Sequence, residues 1–331
     1  MSDPAHKETD ELLAELERKI EKEYQQAQKE VRKKLDDYMR RFQVKDRIKA
    51  QQVKDGELSE QEYIEWRKNQ LLVGQRWEEL QDNLTEDMLA TNAKARSMVN
   101  GYTAQAYATN YNYGIFESES LSGYHVDTAF TLYDRETVER MMRDDPDMLP
   151  PPGKKVSKKI AQGKAERWEK SKLQSVMTQG ILQGDSIPHL AKRLSETYAH
   201  DNMWSAVRNA RTMVTGAENA GRRASHERAE ESGILLEDVW IATLDSRTRH
   251  EHRLLDQQSV KPGEPFEVDG EKIRFPGDPL AAAYLVYNCR CTVVAKLVGL
   301  ADDIDEIRHN NELKNMTYEQ WKNYYTNKKK R

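Results

Sequence analysis

The residues of this 331-residue chain best suited to chemistry lie near its C-terminal end. The only two cysteines, Cys289 and Cys291, flank one arginine in the run YNCRCT. Two histidines, His250 and His252, lie upstream in the run RTRHEHR. Because zinc accepts mixed sulfur and nitrogen ligands, the two thiols and an imidazole are candidate ligands for one metal ion.

The run NCRCTVVAKLV also permits a second interpretation of the cysteines. It predicts a strand, in which Cys289, Cys291, Val293, Ala295 and Leu297 share one face. Free cysteine on such a face packs as a small apolar side chain. A disulfide is disfavoured, since two strand rises separate the Cα atoms by about 6.6 Å, at the edge of workable geometry. Core packing is the favoured interpretation, and a zinc site remains the alternative.

A polar helix face is predicted just before this strand. A first strand over Val239–Thr243 ends in a turn, and Asp245 or Ser246 is the predicted cap of a short helix. On that helix Arg249, His252 and Asp256 have the spacing i, i+3 and i+7, so they share a face. Asp256 is therefore predicted to hold the His252 imidazole.

The elements around these residues predict a small α+β module. Asp269-Gly270 is a two-residue turn signal between β-rich arms, which predicts a hairpin. Gly123–Asp134 is rich in β-formers and predicts one or two further strands. The run ARTMVTGAENAGR lies in a long predicted helix that ends at Gly233. The fold class predicted is therefore α+β and predominantly α-helical, with a long helical N-terminal half and a small C-terminal α+β module.

The N-terminal part carries a regular apolar stripe. Its steps of 3, 4 and 4 residues repeat every 11 residues, which predicts a nearly straight helix capped by Thr9 or Asp10. The stripe consists of Leu13, Leu16, Ile20, Tyr24, Ala27, Val31, Leu35, Tyr38 and Phe42. Packing against the chain itself is the favoured interpretation, and the seam of an oligomeric bundle is the alternative.

Five consecutive segments are predicted from these patterns. They are a helical N-terminal arm or bundle (1–122), a short β/α segment with a proline-rich linker (123–153), a helical segment (154–233), the α+β module (234–300) and a helical C-terminal tail (301–331). Charged residues make up 33% of the chain, which favours long solvated helices beside a modest core. The N-terminus shows no apolar signal region, and no apolar run reaches the roughly 20 residues needed to span a bilayer, so no membrane contact is predicted.

A basic stretch begins directly after the linker. Lys154, Lys155, Lys158 and Lys159 are candidates for non-specific contact with DNA phosphates, although a solvated helix face is the favoured interpretation. The net charge of −4 provides no whole-molecule field that would draw the chain onto nucleic acid.

One ordered set of residues resembles a known family. The set begins after the helix ARTMVTGAENAGR and consists of Trp240, Asp245, Thr248, Arg249, His252, Leu255, Asp256, Asn288, Cys289, Arg290 and Cys291. In order and spacing it resembles the C-terminal domain of the phage minor head proteins related to the F protein of phage Mu, over roughly residues 165–299. Many relatives carry cysteines at the positions of Arg249 and His252, and a histidine where Val286 stands. Arg249 and Val286 thus stand where that pattern has two metal ligands, and we expect the purified chain to carry no stoichiometric zinc.

The resemblance implies a structural role and no established catalysis. It implies a minor capsid protein at the portal vertex that acts in head morphogenesis and in DNA packaging or delivery. Its implied partners are the portal protein and other head proteins, and its implied location is the virion, with the host cytoplasm during assembly. In place of a metal cluster, a structural polar cluster is predicted, formed by Asp245, Thr248, Arg249, His252, Asp256, Asn288 and Arg290.

Two other classes of function stay open on the residues alone. A metal-dependent hydrolase or nuclease would use His250, His252, Cys289 and Cys291 with nearby acids, but no acid or histidine pair shows a catalytic spacing. A helical nucleic-acid-binding adaptor would use the basic stretch. The structural role is the favoured prediction, without enzyme activity or a required cofactor.

Overall fold

The computed structural model describes residues 3–150 and 157–328, with the backbone alone at residue 158. Helices dominate this part of the chain. They are α1 (Pro4–Met39), α2 (Gln43–Lys54), α3 (Glu60–Leu71), α4 (Gln75–Ser122), α5 (Arg135–Asp144), α6 (Lys158–Leu182), α7 (Ile187–Glu231), α8 (His250–Leu255), α9 (Ala283–Val286) and α10 (Tyr318–Lys328). None of these described helices is both long enough and apolar enough to cross a bilayer.

The strands all lie in the C-terminal part of the described chain. They are β1 (Ile234–Ile241), β2 (Ser259–Val260), β3 (Phe266–Val268), β4 (Glu271–Ile273) and β5 (Thr292–Leu300). β1 is the middle strand of an antiparallel sheet of order β2-β1-β5, and β3 pairs with β4 in a separate hairpin. The prediction of a predominantly helical α+β fold is confirmed.

The predicted Asp269-Gly270 turn is confirmed between β3 and β4. Both residues have positive φ, 50° at Asp269 and 79° at Gly270, as a tight two-residue hairpin turn requires. Glycine carries no steric penalty there, and aspartate is among the residues that tolerate this conformation best. Local turn chemistry was therefore sufficient to place this element.

The described chain forms two compact units. We call the one within residues 1–17, 98–154 and 208–331 the module unit, and the one within residues 18–97 and 155–207 the helical unit. The strands, α8, α9 and α10 all belong to the module unit. The five segments predicted from the sequence stay a prediction.

The apolar stripe of α1 is buried in the folded chain. Ile20, Val31 and Leu35 are each no more than 1% exposed. The helix begins earlier than predicted, because the Asp3 carboxylate accepts hydrogen bonds from the backbone N–H groups of Ala5 and His6, both at 3.0 Å. Thr9 lies inside the helix, so the prediction of a cap at Thr9 or Asp10 is wrong.

The prediction of strands between Gly123 and Asp134 is also wrong. The only bridge in this segment joins Tyr124 to His309, and the rest follows turns. Side chains satisfy its backbone groups instead. The Asn112 amide bonds the N–H and the C=O of Tyr133, at 2.9 and 2.8 Å, and the Glu119 carboxylate accepts from the N–H of Val126 at 2.9 Å. A β-rich composition did not produce a ladder, because helix side chains supplied the hydrogen bonds.

The C-terminal helix α10 packs on the module unit through aromatic residues. Trp321 is fully buried and Tyr325 nearly so. Both donate to the fully buried Glu119 carboxylate, Trp321 through its indole nitrogen at 2.7 Å and Tyr325 through its hydroxyl at 2.8 Å. A buried carboxylate that lost these donors would carry the full cost of desolvation, so α10 is an integral part of this unit.

An apolar core lies at the sheet and the hairpin of the module unit. Its buried members are Trp240, Ala242, Leu255, Phe266, Val268, Ile273, Leu285, Val286, Cys289, Cys291 and Val293. The two cysteines thus lie in the core, but β5 begins only at Thr292. The prediction that both belong to that strand is wrong, since the chain turns at Tyr287 and Asn288 and runs to Thr292 without ladder pairing.

Candidate functional site

His252 and the thiols of Cys289 and Cys291, which we call the His252 triad, meet at the floor of a cleft. The Nε2 atom of His252 lies 2.9 Å from the carbonyl oxygen of Leu285. A carbonyl only accepts, so Nε2 carries the proton and Nδ1 presents its lone pair on the other side of the ring. Nδ1 lies 3.3 Å from the Sγ atom of Cys291 and 3.7 Å from that of Cys289.

The two thiols differ in acidity. A hydrogen bond from Cys289, against the effect of burial, lowers the pKa of Cys291. The same hydrogen bond, together with burial, raises the pKa of Cys289. Cys289 therefore retains its proton and donates it toward Cys291, which is the sulfur that first becomes a thiolate.

These three side chains form the one group of possible metal ligands among the described histidine, cysteine and acidic residues. Their ligand atoms lie within 4.8 Å of one another, and all three residues are buried. Two sulfurs and a neutral imidazole nitrogen suit a thiophilic cation such as Zn²⁺, and the Leu285 carbonyl orients the ring as an outer partner of a metal site would. A closed structural zinc site uses four protein ligands, so this set would leave one position to another ligand.

The replaced ligand positions have other tasks in this chain. Arg249 donates from its guanidinium to the carbonyl of Tyr287. Val286 is buried in the apolar core.

The cleft above the thiols has a volume of about 480 Å³, and its lining includes Thr215, Glu218 and Asn288. The site thus fits a three-ligand metal set, while the metal-free cluster already satisfies its own polar atoms.

Asp245 and Arg290 form the centre of the polar cluster at the rim. The guanidinium donates two bonds to the carboxylate, at 2.7 and 2.8 Å. This bidentate pair, with a further bond from the Arg247 backbone N–H, lowers the pKa of Asp245. Thr248 closes the turn by donating to the Thr243 carbonyl and accepting from the Asp245 N–H at 2.9 Å. The cap predicted at Asp245 or Ser246 is wrong, because α8 begins only at His250.

The predicted pairing of Asp256 with His252 is also wrong. Helix α8 ends at Leu255, and Asp256 turns its carboxylate toward β1, where it accepts from the Ala242 N–H at 2.8 Å. Asn288 contributes mainly through its backbone, since its φ of 54° reverses the chain just before Cys289. The predicted cluster is therefore divided into the His252 triad, the Asp245–Arg290 pair and the separate Asp256 contact.

Sequence reasoning missed the side chains that hold the backbone of residues 288–293, which we call the cysteine segment. Four polar residues of α7, spaced by 3, 4 and 3 residues along one helix face, form hydrogen bonds to this backbone. They are Thr212, Thr215, Asn219 and Arg222. The spacing was visible in the run ARTMVTGAENAGR, but a polar stripe in a highly charged chain normally indicates a solvated face.

Asn219 makes the most complete of these contacts. Its amide nitrogen donates to the Cys291 carbonyl at 3.2 Å, and its amide oxygen accepts from the Val293 N–H at 2.8 Å. This side chain therefore pairs with the start of β5 as a neighbouring strand would. Helix α7 also approaches the loop at Gly277 closely, because a Cβ atom on Gly216 would lie 2.7 Å from the Gly277 carbonyl oxygen.

Two charged side chains of α7, Arg222 and Glu218, are buried at the same interface. Arg222 is fully buried and bonds the Asp3 carboxylate at 2.5 Å and the Asn110 amide at 2.9 Å. Glu218 bonds His6 at 2.6 Å, which raises the pKa of that histidine to about 8. Each buried charge thus has an opposite charge or polar partner, as its desolvation requires.

His226 lies one turn beyond Arg222 and is fully buried. Its Nδ1 atom lies 2.6 Å from Asp238 of β1, and Nε2 lies 3.6 Å from Glu117. Burial opposes protonation, but the hydrogen bond to Asp238 and the negative charge of Glu117 outweigh it and raise the pKa of His226 to about 9. The imidazole is therefore protonated at neutral pH, and it links α7 to the sheet.

The basic residues predicted to touch DNA are only partly described. Lys154 and Lys155 lie outside the described residues, as does the side chain of Lys158. Lys159 is exposed in the first turn of α6. Lys159 does not line the cleft above the cysteines, whose described lining comes entirely from the module unit.

Comparison with known proteins finds a family similarity over part of the chain. A family model matches residues 171–294, and its description is "Phage Mu protein F like protein". The matched residues include α7, β1, α8 and the cysteine segment. Residues 171–294 are a phage Mu F-like domain. The resemblance predicted from the spacing of the motif residues is confirmed. The side-chain contacts from α7 to the cysteine segment lie wholly inside this Mu F-like domain.

Two curated proteins match beyond this domain. Minor head protein GP7 of Bacillus phage SPP1 is 22% identical over 291 residues, which cover 88% of this chain and 85% of that protein. NAD(+)–arginine ADP-ribosyltransferase EFV of Enterococcus faecalis is 25% identical over 244 residues, which cover 72% of this chain and 47% of that protein. The chain thus spans about half the length of the second relative. No solved structure matches the chain.

Proposed function

We propose that this chain is a minor head protein that acts in phage head morphogenesis at the portal vertex, without enzyme activity. The observation that carries the proposal is the match to Minor head protein GP7 over nearly the full length of both chains, together with the Mu F-like domain. The architecture suits such a role, because the polar residues of the domain interlock in structural contacts. Its partners would be the portal protein and other head proteins, and its location the virion.

The candidate site supports a structural interpretation over a catalytic one. The Asp245 carboxylate is neutralised by Arg290, and Asp256 is committed to the backbone of β1. Two further acids line the cleft: Glu218 is bonded to His6 and Thr292, and Asp10 lies 4.0 Å from the same histidine. Both carboxylates thus face His6 rather than the His252 imidazole. The His252 triad is therefore a staple between α8, α9 and the cysteine segment.

The portal contact is testable by co-expression. The full chain and the portal protein of the phage genome that encodes it should be recovered together by affinity pull-down. Because the apolar stripe of α1 is buried, it is not a surface for that partner, and truncations within α1 would unfold the chain instead. Failure to recover a complex at both low and moderate salt would contradict the portal assignment.

Contact with DNA would rest on the basic stretch before and within the first turn of α6. Reversing Lys154, Lys155, Lys158 and Lys159 to glutamate should weaken retention on DNA and flatten its salt dependence, because each cation that contacts a phosphate releases counterions. It should leave portal binding intact. A matched control reverses four lysines of α1 and α2, namely Lys33, Lys45, Lys49 and Lys54. Equal loss of retention in both variants would contradict a local DNA contact.

The relative named as an ADP-ribosyltransferase defines the test for enzyme activity. This chain spans less than half of that protein, so the activity in its name is not transferred to the chain. Incubation with NAD⁺ and an arginine-rich acceptor should give no ADP-ribosylated product. Product that forms in proportion to the chain, and is lost when Glu218 or His252 is replaced, would overturn the structural proposal.

A further inference from the structure

The first part of α6 is a helix without a packed face. No described side chain among residues 158–168, which we call the α6 extension, is buried, whereas Glu169, Leu173, Val176 and Met177 are buried from there on. The extension contains Gly163 and begins with two lysines and no acid, against the helix dipole. Such a stretch is a weak helix former in water, so a binding partner would stabilise it.

One side of the α6 extension combines apolar and cationic residues. Ile160, Lys164, Arg167 and Trp168 fall on the helix face opposite the buried one, with Ile160 53% and Trp168 48% exposed. Lys164 and Arg167 have no carboxylate partner among the described residues. An exposed tryptophan beside unpaired cations is the composition of a protein-binding surface.

The neighbouring helix adds a second exposed tryptophan to this surface. Helices α6 and α7 form an antiparallel hairpin through the turn at Gly184, and Lys172 pairs with Asp201 across it. Trp168 lies one turn before Lys172, and Trp204 follows Asp201 by nearly one turn, so both lie toward the same end of the hairpin. Trp204 is 52% exposed. This end of the hairpin therefore carries exposed tryptophans on both of its helices.

A surface of opposite character lies on the module unit. Leu254 of α8 and Tyr284 of α9 are each about half exposed, and we call the area around them the acidic face. Partial desolvation, followed by the charges of Glu271, Glu251 and Asp269, raises the pKa of the Tyr284 phenol. These three carboxylates therefore lie near the ring, with Glu251 on α8 and the exposed Asp269 and Glu271 at the turn of the β3–β4 hairpin, and none has a cationic partner among the described residues.

We propose that the α6 extension of one chain binds the acidic face of a second copy. The charges are complementary, and each surface presents exposed apolar side chains that the other would cover. Because the two surfaces differ, the contact is heterologous, and each bound copy leaves one surface of each kind free. Copies would therefore add head to tail into a ring or a filament.

Protein fits this surface better than DNA. Non-specific duplex binding needs cations that follow the phosphates, and it leaves Ile160 and Trp168 without a role. Lys159 and the backbone position of residue 158 lie toward the buried side of α6, away from the stripe of Ile160, Lys164 and Trp168. The DNA contact proposed above and this self-association thus use different sides of the extension.

The test compares matched charge reversals in the full chain. One variant carries Lys164→Glu and Arg167→Glu, and the other carries Glu251→Lys and Glu271→Lys. Mass measured by sedimentation should show the unchanged chain as larger than a monomer at low salt and smaller as salt rises. Each variant alone should be monomeric. Trp168→Ala should weaken association about tenfold through loss of an aromatic anchor.

Mixing the two reversal variants tests the head-to-tail geometry. Each retains one intact surface, and the two reversed surfaces are again opposite in charge, so an equimolar mixture should form larger assemblies in which the two variants alternate. All four reversals in a single chain should restore the larger assemblies. A control with Lys54→Glu and Glu57→Lys, both exposed on the helical unit, should assemble like the unchanged chain.

Three outcomes would overturn the proposal. The first is an unchanged chain that stays monomeric at the highest soluble concentration and lowest salt. The second is a mixture that stays monomeric together with a fourfold variant that does not reassemble. The third is a Lys164→Glu, Arg167→Glu variant that loses DNA retention while its mass is unchanged, which would assign the surface to nucleic acid.

Discussion

Two regions of the molecule use polar residues in opposite ways. The first is the interface between α7 and the cysteine segment, and the second is the α6 extension. At the first, Thr212, Thr215, Asn219 and Arg222 are all matched to backbone groups or carboxylates. At the second, Lys164 and Arg167 have no carboxylate partner in the described chain. Polar side chains that are buried with hydrogen-bond or charge partners stabilise the fold, whereas exposed ones remain available to bind another molecule. The same residue types therefore serve stability in one region and recognition in the other.

The largest expected effect on the free energy of unfolding comes from a substitution at the buried interface of α7. Arg222→Met removes the guanidinium and leaves Asp3 without its buried partner, which should cost about 3–5 kcal/mol of unfolding free energy. Urea denaturation measures the loss. The matched control Lys164→Met, on the α6 extension, should stay within about 0.5 kcal/mol of the unchanged chain. Equal effects at the two positions would contradict the comparison.

A pH dependence should follow from the buried His226. Its pKa is 6.5 ordinarily and about 9 in the folded chain, so its contribution is fully present below pH 6.5 and is lost as pH rises through 9. The loss should be on the order of 3 kcal/mol. Unfolding measured at pH 6 and at pH 10 should show it, and His226→Gln should flatten the difference. An unchanged slope in that variant would show that another group is responsible.

A smaller loss is expected from His252→Ala. The Leu285 carbonyl would lose its donor, and an unpaired buried acceptor costs about 1–3 kcal/mol. The melting temperature of the full chain measures this effect. Replacing the exposed neighbour His250 by alanine is the control and should change little.

The same triad predicts the response to metal removal. Since it offers three ligands and is already internally bonded, the purified chain should carry no stoichiometric zinc, and a chelator should leave its melting temperature unchanged. Elemental analysis and a melt with and without chelator make the measurement. About one zinc per chain, lost together with stability, would show that the cation is part of the fold.

The smallest expected effect lies on the exposed side of the comparison. Trp168→Ala should leave the unfolding free energy within about 0.5 kcal/mol, because the side chain is half exposed. The effect should instead appear in association. A loss of several kcal/mol of stability would show that the α6 extension is packed within its own chain.

The accuracy of sequence reasoning followed the range of the interactions involved. The Asp269-Gly270 turn and the apolar stripe of α1 depend on residues close in the chain, and both were predictable. The contact expected between His252 and Asp256 failed because α8 ends one residue before Asp256. Helix side chains at Asn112 and Glu119 replaced the strands expected after Gly123. Burial of Arg222 was not predictable, since its partners Asp3 and Asn110 lie more than a hundred residues away.

The central claim is tested most directly by recovering the chain with the portal protein encoded in the same phage genome. Co-expression of the two full-length proteins, with affinity capture of either one, should yield a complex at low salt that persists at moderate salt. The Lys164→Glu, Arg167→Glu variant should be captured equally well, since that surface is assigned to a second copy. Absence of any complex in both directions and at both salt concentrations would contradict the account.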